Sequence, residues 1–431
     1  MAENGRGRRS QVVASAHYPP AGRTSPRPPR RRRASPTPRS SRRVPSVPDD
    51  PSPRPARARV TGMSRGERLL RLLLLVALLY LFLLAVDTLG NGIAGFGEGF
   101  TDQLFRGIGN PAVGLLVGVL ATVLAQSSSV TTATLVGLVA SGVVGVDEAV
   151  PVIMGANVGT TITNTLASLG SIRRTEEFRR AFTGATMHDV FNLASIVILL
   201  PVELLTGLLS RTAVFLSDFV GDAQTGEFES PVRAVVAGVG EQIEAGVNAL
   251  APGDLVAAGT LLVLGLGLIF GTLYSITRNM RVVMAGTAER WLNAVLGRAG
   301  TLAILIGIVL TVAVQSSSIA TALLIPMIAA GVLRLDHAYP VTLGANLGTT
   351  VSALLAALAV PGIAGLQIAL VHLAFNVVGL LLFWPIPPLR RIPLRAARWM
   401  GDQAVKRRST VLAYVILLFY VVPFVGILVL R

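Results

Sequence analysis

Apolar stretches of membrane-spanning length recur along this chain, and twice such a stretch is interrupted by one polar quartet, Gln126-Ser127-Ser128-Ser129 and Gln315-Ser316-Ser317-Ser318. A helix needs roughly 20 apolar residues to cross a hydrocarbon core. The pattern predicts spans at 69–89, 149–169, 181–205, 255–276, 338–360, 363–385 and 411–430. Segments 111–144 and 301–333 read differently, as paired apolar arms flanking the quartet. Each arm is too short for a comfortable crossing, so each pair is predicted to be a re-entrant hairpin with the quartet at its tip. Gly, Thr and Asn weaken 149–169 and its counterpart 338–360, which are expected to be broken helices. Segment 91–110 is too polar to cross, and its Phe100, Leu104 and Phe105 predict a short interfacial helix.

The two quartets belong to a longer duplication. Aligned without a gap at a shift of 189, residues 122–167 and 311–356 agree at 24 of 46 positions. The shared spine contains Thr132/Thr321, Pro151/Pro340 and Gly-Ala-Asn-x-Gly-Thr-Thr at 155–161 and 344–350. An echo follows in His188-x-x-Phe191-Asn192 and His372-x-x-Phe375-Asn376. Polar, Gly-interrupted segments duplicated inside apolar sequence mark the central binding site of a secondary transporter.

Charge gives the expected orientation. The first 67 residues hold 16 Arg against four acidic residues, amid many Pro and Ser, and cannot bury a core. A disordered cytoplasmic tail that touches anionic lipid is expected, or else Met63 is the true start. A nucleic-acid partner is not expected, because no aromatic residues interleave with the arginines. Basic loops at 173–180, at 278–298 and at 390–408 mark further cytoplasmic turns. On this count the two hairpins enter from opposite sides, making the repeats inverted. The domain plan is a tail at 1–67, a first repeat at 68–205, an external linker loop at 206–254 and a second repeat at 255–388. A basic cytoplasmic loop and a final span occupy 389–431. The fold class is an all-α polytopic membrane protein, consistent with 52% apolar and 14% charged residues and no Cys.

The duplicated polar residues supply the candidate chemistry. A hard cation such as Na+ prefers oxygen ligands, which Gln, Ser, Thr and Asn offer without a buried charge. Gln126, Thr160 and Thr161 are candidates on this ground, with Asn157, Asn164, Asn346 and Thr350 as further polar residues of the site. The hairpin tips also present helix N-termini, whose free N–H groups and dipole attract an anion. Asp189 lies about eight residues inside an apolar span, where a carboxylate by default marks an ion or proton path. Asn192 shares its helical face. His188 and His372 are weaker candidates, since a lone helical His more often makes a structural hydrogen bond. An enzyme is not expected: nothing like Gly-x-Ser-x-Gly surrounds either serine triplet.

Both quartets, Gly-Ala-Asn-Val-Gly-Thr-Thr-Ile-Thr-Asn-Thr at 155–165 and Glu-Phe-Arg-Arg-Ala-Phe-Thr-Gly-Ala-Thr-Met-His-Asp-Val-Phe-Asn at 177–192 resemble the type II sodium-dependent phosphate cotransporters. The resemblance covers roughly 69–388 and points to a bacterial member at the plasma membrane. It implies Na+-driven symport of inorganic phosphate by alternating access, with no cofactor beyond transported Na+. It assigns sodium to Gln315, Ser316, Thr349 and Ser352, and phosphate to Ser127, Ser128, Ser129, Ser317 and Ser318. It also implies that Asp189, with Asn192 beside it, makes transport electrogenic. Ala345 stands where some relatives have Ser, and Thr183 where electrogenic members commonly have Ala. Another oxyanion, H+ in place of Na+, or a phosphate sensor with vestigial transport are the alternatives. Oligomeric state is not legible from the residues.

Overall fold

The computed structural model describes residues 64–96, 109–222, 231–295 and 300–430. The predicted tail lies outside these residues as far as 63, as does most of the interfacial helix predicted at 91–110. Among the described residues every regular element is a helix. Six are long and apolar enough to cross a membrane: Leu69–Ala94, Thr175–Thr206, Asp254–Asn279, Leu335–Ala357, Ala364–Phe383 and Ser409–Leu430. They differ in position within the bundle. In the most apolar part of Leu335–Ala357, 78% is buried against protein, whereas in Leu69–Ala94 and Ser409–Leu430 only 22% is, so these last two face outward.

Each quartet joins two short helices, Pro111–Ala125 to Ser128–Ala140 and Thr301–Val314 to Ser317–Ala322. The first arm begins with Asn110 as its cap and Pro111 in its opening turn, where a missing N–H costs nothing. Both first arms end when Gln126 and Gln315 adopt left-handed backbone, with φ of 52° and 55°. Ser127 and Ser316 then cap the following helices, accepting from the N–H of Val130 at 3.4 Å and of Ile319 at 3.3 Å. The far ends close on Gly142 and Gly331, whose φ of 75° and 74° suits a residue without Cβ.

Duplication extends to backbone packing. A Cβ at Gly118 would overlap the carbonyl of Val152, and one at Gly155 would overlap that of Leu115. The counterparts 189 residues later, Gly307 and Gly344, face the carbonyls of Val341 and Ile304 in the same way. In each half these glycines let the first hairpin arm lie directly against the helix that carries Gly-Ala-Asn, as small residues do where membrane helices touch.

The Thr175–Thr206 helix ties the halves together. Its Ile196 and Leu199 join a core containing Phe82, Val86, Val136, Ile153 and Val371. Its Met187 and Phe191 join a second core with Leu310, Val314, Tyr339 and Phe383.

Several expectations need correction. The helix at 149–169 is broken as predicted, into Val146–Gly159 and Ile162–Ser168. Its counterpart, however, is one continuous helix, Leu335–Ala357. After the shared Thr pair the first copy continues with Asn164 and Thr165, whose side chains are drawn to other helices. The second copy has Ala353 and Leu354 there, which favour the helix. The stretch after the second quartet is itself interrupted at Leu323, between Ser317–Ala322 and Leu324–Ala329, because Pro326 has no N–H to offer Ala322. The predicted linker loop at 206–254 contains two helices, Leu208–Asp222 and Pro231–Leu250. Glu203 links the first of them to the preceding span by accepting from the N–H groups of Leu209 and Ser210 and from the Ser210 hydroxyl. Most of the predicted basic loop is likewise helical, Pro387–Lys406, with Leu394, Ala397, Gly401 and Ala404 buried at helical spacing and Arg391, Arg395 and Arg398 outward.

Candidate functional site

The two quartets meet. Gln126 to Ser129 and Gln315 to Ser318 line one cavity of about 340 Å³, closed on a third side by Phe270, Leu273, Tyr274 and Thr277 of the Asp254–Val295 helix. Thr163 completes the polar lining, and no charged side chain contributes among the described residues.

Reciprocal contacts fix the tips. Ser129 donates to the Ser352 hydroxyl at 3.3 Å, and Ser352 donates to Oε1 of Gln315 at 3.1 Å. One serine of the second half thereby bridges the two hairpin tips. In the opposite sense Ser318, the counterpart of Ser129, donates to the Thr160 carbonyl at 3.4 Å. Thr321 donates to Oδ1 of Asn164 at 2.8 Å. Each tip is thus held by the Gly-Ala-Asn helix of the other half. The amide nitrogens of Gln126 and Gln315 turn back onto the carbonyls of Val123 and Val312, at 2.6 and 2.7 Å. That bond satisfies carbonyls left open where the arms end and stabilises the left-handed joint.

A second group of polar residues lies deeper and does not line this cavity. Asn346 is its centre. The amide of Asn346 donates to Oδ1 of Asn192 at 3.0 Å and of Asn376 at 2.6 Å, and its oxygen faces Nε2 of His188 at 3.1 Å. An amide oxygen only accepts, so Nε2 carries the proton and Nδ1 is free to accept from Asn164 at 3.5 Å. Asn192 in turn donates to the carbonyl of Asn157 at 2.7 Å. All these side chains are buried, so the network's value lies in being fully paired.

Asp189 occupies the fully buried face of the same helix as Asn192. Its Oδ2 accepts from Tyr414 at 2.6 Å and from Thr165 at 3.3 Å, the Thr161 hydroxyl is also close to the carboxylate, and Oδ1 accepts no hydrogen bond among the described residues. The remaining predicted residues, Thr160, Thr161, Thr349 and Thr350, are buried, with hydroxyls turned to carbonyls of their own helices, Ala156, Val158, Ala345 and Leu347. Ser128 and Ser317 are buried at the cavity wall. No cluster of three His, Asp or Glu side chains that could hold a metal ion exists among the described residues.

The sequence profile of the Na+/Pi-cotransporter family matches residues 81–212 and 260–390, which contain both quartets, both Gly-Ala-Asn helices and Asp189. The chain belongs to the Na+/Pi-cotransporter family. Sodium-dependent phosphate transport protein 2B of Pongo abelii is 33% identical, over 82% of this chain and 64% of the relative. The Homo sapiens protein of the same name is 34% identical over the same shares. Sodium-dependent phosphate transport protein 2A of Rattus norvegicus is 32% identical, over 83% of this chain and 67% of the relative. The chain thus spans just under two thirds of the 2B proteins' length. No solved structure matches it.

Three residues of the observed constellation escaped sequence reasoning. Asn376 was visible as an echo of Asn192 yet was not assigned to the site. Thr321 was legible only as part of the shared spine. Tyr414 carried no signal: it is one of two Tyr in an apolar span, outside the duplicated segments and 225 residues from its partner.

Proposed function

We propose that this protein is a secondary active symporter that couples Na+ entry to inorganic phosphate transport across the plasma membrane, by an electrogenic, alternating-access cycle. The observation that carries the reading is the joining of both quartets around one uncharged, hydroxyl-rich cavity. Phosphate binds between the tips, where serine hydroxyls and helix-start N–H groups converge without a fixed positive charge to trap it. Na+ is held by neutral oxygens from Gln126, Gln315, Ser316, Thr160, Thr161, Thr349 and Ser352, and by Asp189 with Asn192 at the deeper position. The quartets form the tips of re-entrant hairpins belonging to inverted repeats, which exchange access across a fixed central site. Since Ser352 already bridges Ser129 to Gln315, a cation drawn to those oxygens pre-orders the tip that meets phosphate. The family membership and the names of the 2A and 2B relatives support sodium and phosphate as the cargo.

Linkage provides the test. Binding of radiolabelled phosphate to the purified protein is expected to tighten when K+ is replaced by Na+, and Na+ affinity to rise by the same factor with phosphate. Phosphate binding indifferent to Na+ contradicts the coupling, and binding of sulfate in preference to phosphate reassigns the anion.

A further inference from the structure

The two oxygens of Asp189 have unequal surroundings. Tyr414 and Thr165 both donate to Oδ2, whereas Oδ1 accepts no hydrogen bond among the described residues inside a fully buried site, with the Thr161 hydroxyl also close to the carboxylate. A carboxylate pinned through one oxygen presents the other in a fixed direction. Thr165 belongs to the duplicated segment. Tyr414 comes from the final helix, beyond residue 390 where the family match ends.

The surroundings of Tyr414 hold its ring as firmly as its hydroxyl. Phe182 packs edge-on against it, with centroids 6.1 Å apart and planes at 81°. Phe419 does the same from the other side, at 6.0 Å and 84°. Five residues separate Tyr414 from Phe419, which in a regular helix places them about 140° apart. The chain resolves this with a π-helical turn at Leu417–Val421, which widens the helix and brings the rings together. Such turns recur at functional sites because they re-aim side chains at a cost in helix stability.

We propose that Tyr414 is a positioning residue of the cation site, orienting Asp189 so that Oδ1 faces the ion. The proposal rests on the reading that Asp189 takes part in Na+ binding. It makes the final helix, which lies outside the duplicated core, a determinant of which cation is accepted. A carboxylate held in one direction accepts one ion radius better than others, and a freely turning one discriminates less.

The test is equilibrium binding of radiolabelled Na+ to the purified full-length protein, with Li+ as competitor, for wild type, Tyr414→Phe and Asp189→Asn. Phenylalanine keeps both ring contacts and removes only the donor. Loss of a partner that orients a metal ligand typically costs tenfold or more in affinity, so about tenfold weaker Na+ binding and a narrower Na+/Li+ preference are expected. Unchanged affinity and preference in Tyr414→Phe overturn the proposal. So does equal weakening for both ions with a large drop in melting temperature, which denotes loosened packing. If Asp189→Asn binds Na+ as wild type does, Asp189 is not a ligand and the role of Tyr414 falls with it. Phosphate transport is judged separately by uptake and survives that result.

Discussion

Ser129 and Ser352 meet at 3.3 Å although 223 residues separate them, one in the first quartet and the other on the long helix of the second half. Ser352 passes the contact to Gln315 at the opposite tip. Replacing either serine with Ala is expected to weaken apparent phosphate affinity severalfold. The double replacement is expected to cost less than the sum, with a coupling of about 1 kcal/mol. Phosphate titrations of the four proteins at fixed Na+ check this, and strict additivity places the two serines in separate roles.

Close backbone contact makes a second prediction. Gly118→Ala and Gly307→Ala each push a methyl group into a carbonyl of the adjoining helix and are expected to destabilise the protein by about 2 kcal/mol. Gly267→Ala, in an open helical position, is expected to be neutral or slightly stabilising. Thermal unfolding in detergent separates the two classes.

Asn346 bonds three side chains at once. Asn346→Ala leaves His188, Asn192 and Asn376 each short of a buried partner, at about 1–3 kcal/mol per group. A loss of stability of about 3 kcal/mol or more is expected, with no Na+-driven uptake. A variant as stable as wild type shows that water replaces the amide.

Asp189→Gly removes the only carboxylate that this account places at an ion site. Charge moved per phosphate is expected to fall while phosphate uptake persists at a reduced rate. Simultaneous current and tracer measurements in proteoliposomes give the ratio, and an unaltered ratio removes Asp189 from the coupling.

The pairs of short helices joined at each quartet were legible because a run of Gln and three Ser inside apolar sequence has few structural explanations, and because it occurs twice. The same duplication misled where the copies differ: Ala353 and Leu354 let Leu335–Ala357 run on as one helix, while Asn164 and Thr165 break its twin. The acidic balance of 206–254 read as a loop, although Leu209, Ala213 and Val236 are buried on helices that pack against the core. Which polar residues share a cavity was not legible either. Thr160 and Asp189 lie 29 positions apart in one half, but only tertiary packing sends one to the Ser318 tip and the other to Tyr414.

The central claim, Na+-coupled phosphate symport, is tested most directly by uptake of radiolabelled phosphate into proteoliposomes under an imposed inward Na+ gradient, with K+ and pH gradients for comparison. Uptake is expected to require Na+ and to rise when the interior is made negative. Uptake driven equally well by the pH gradient without Na+, or none in any gradient from protein shown to be folded, contradicts it.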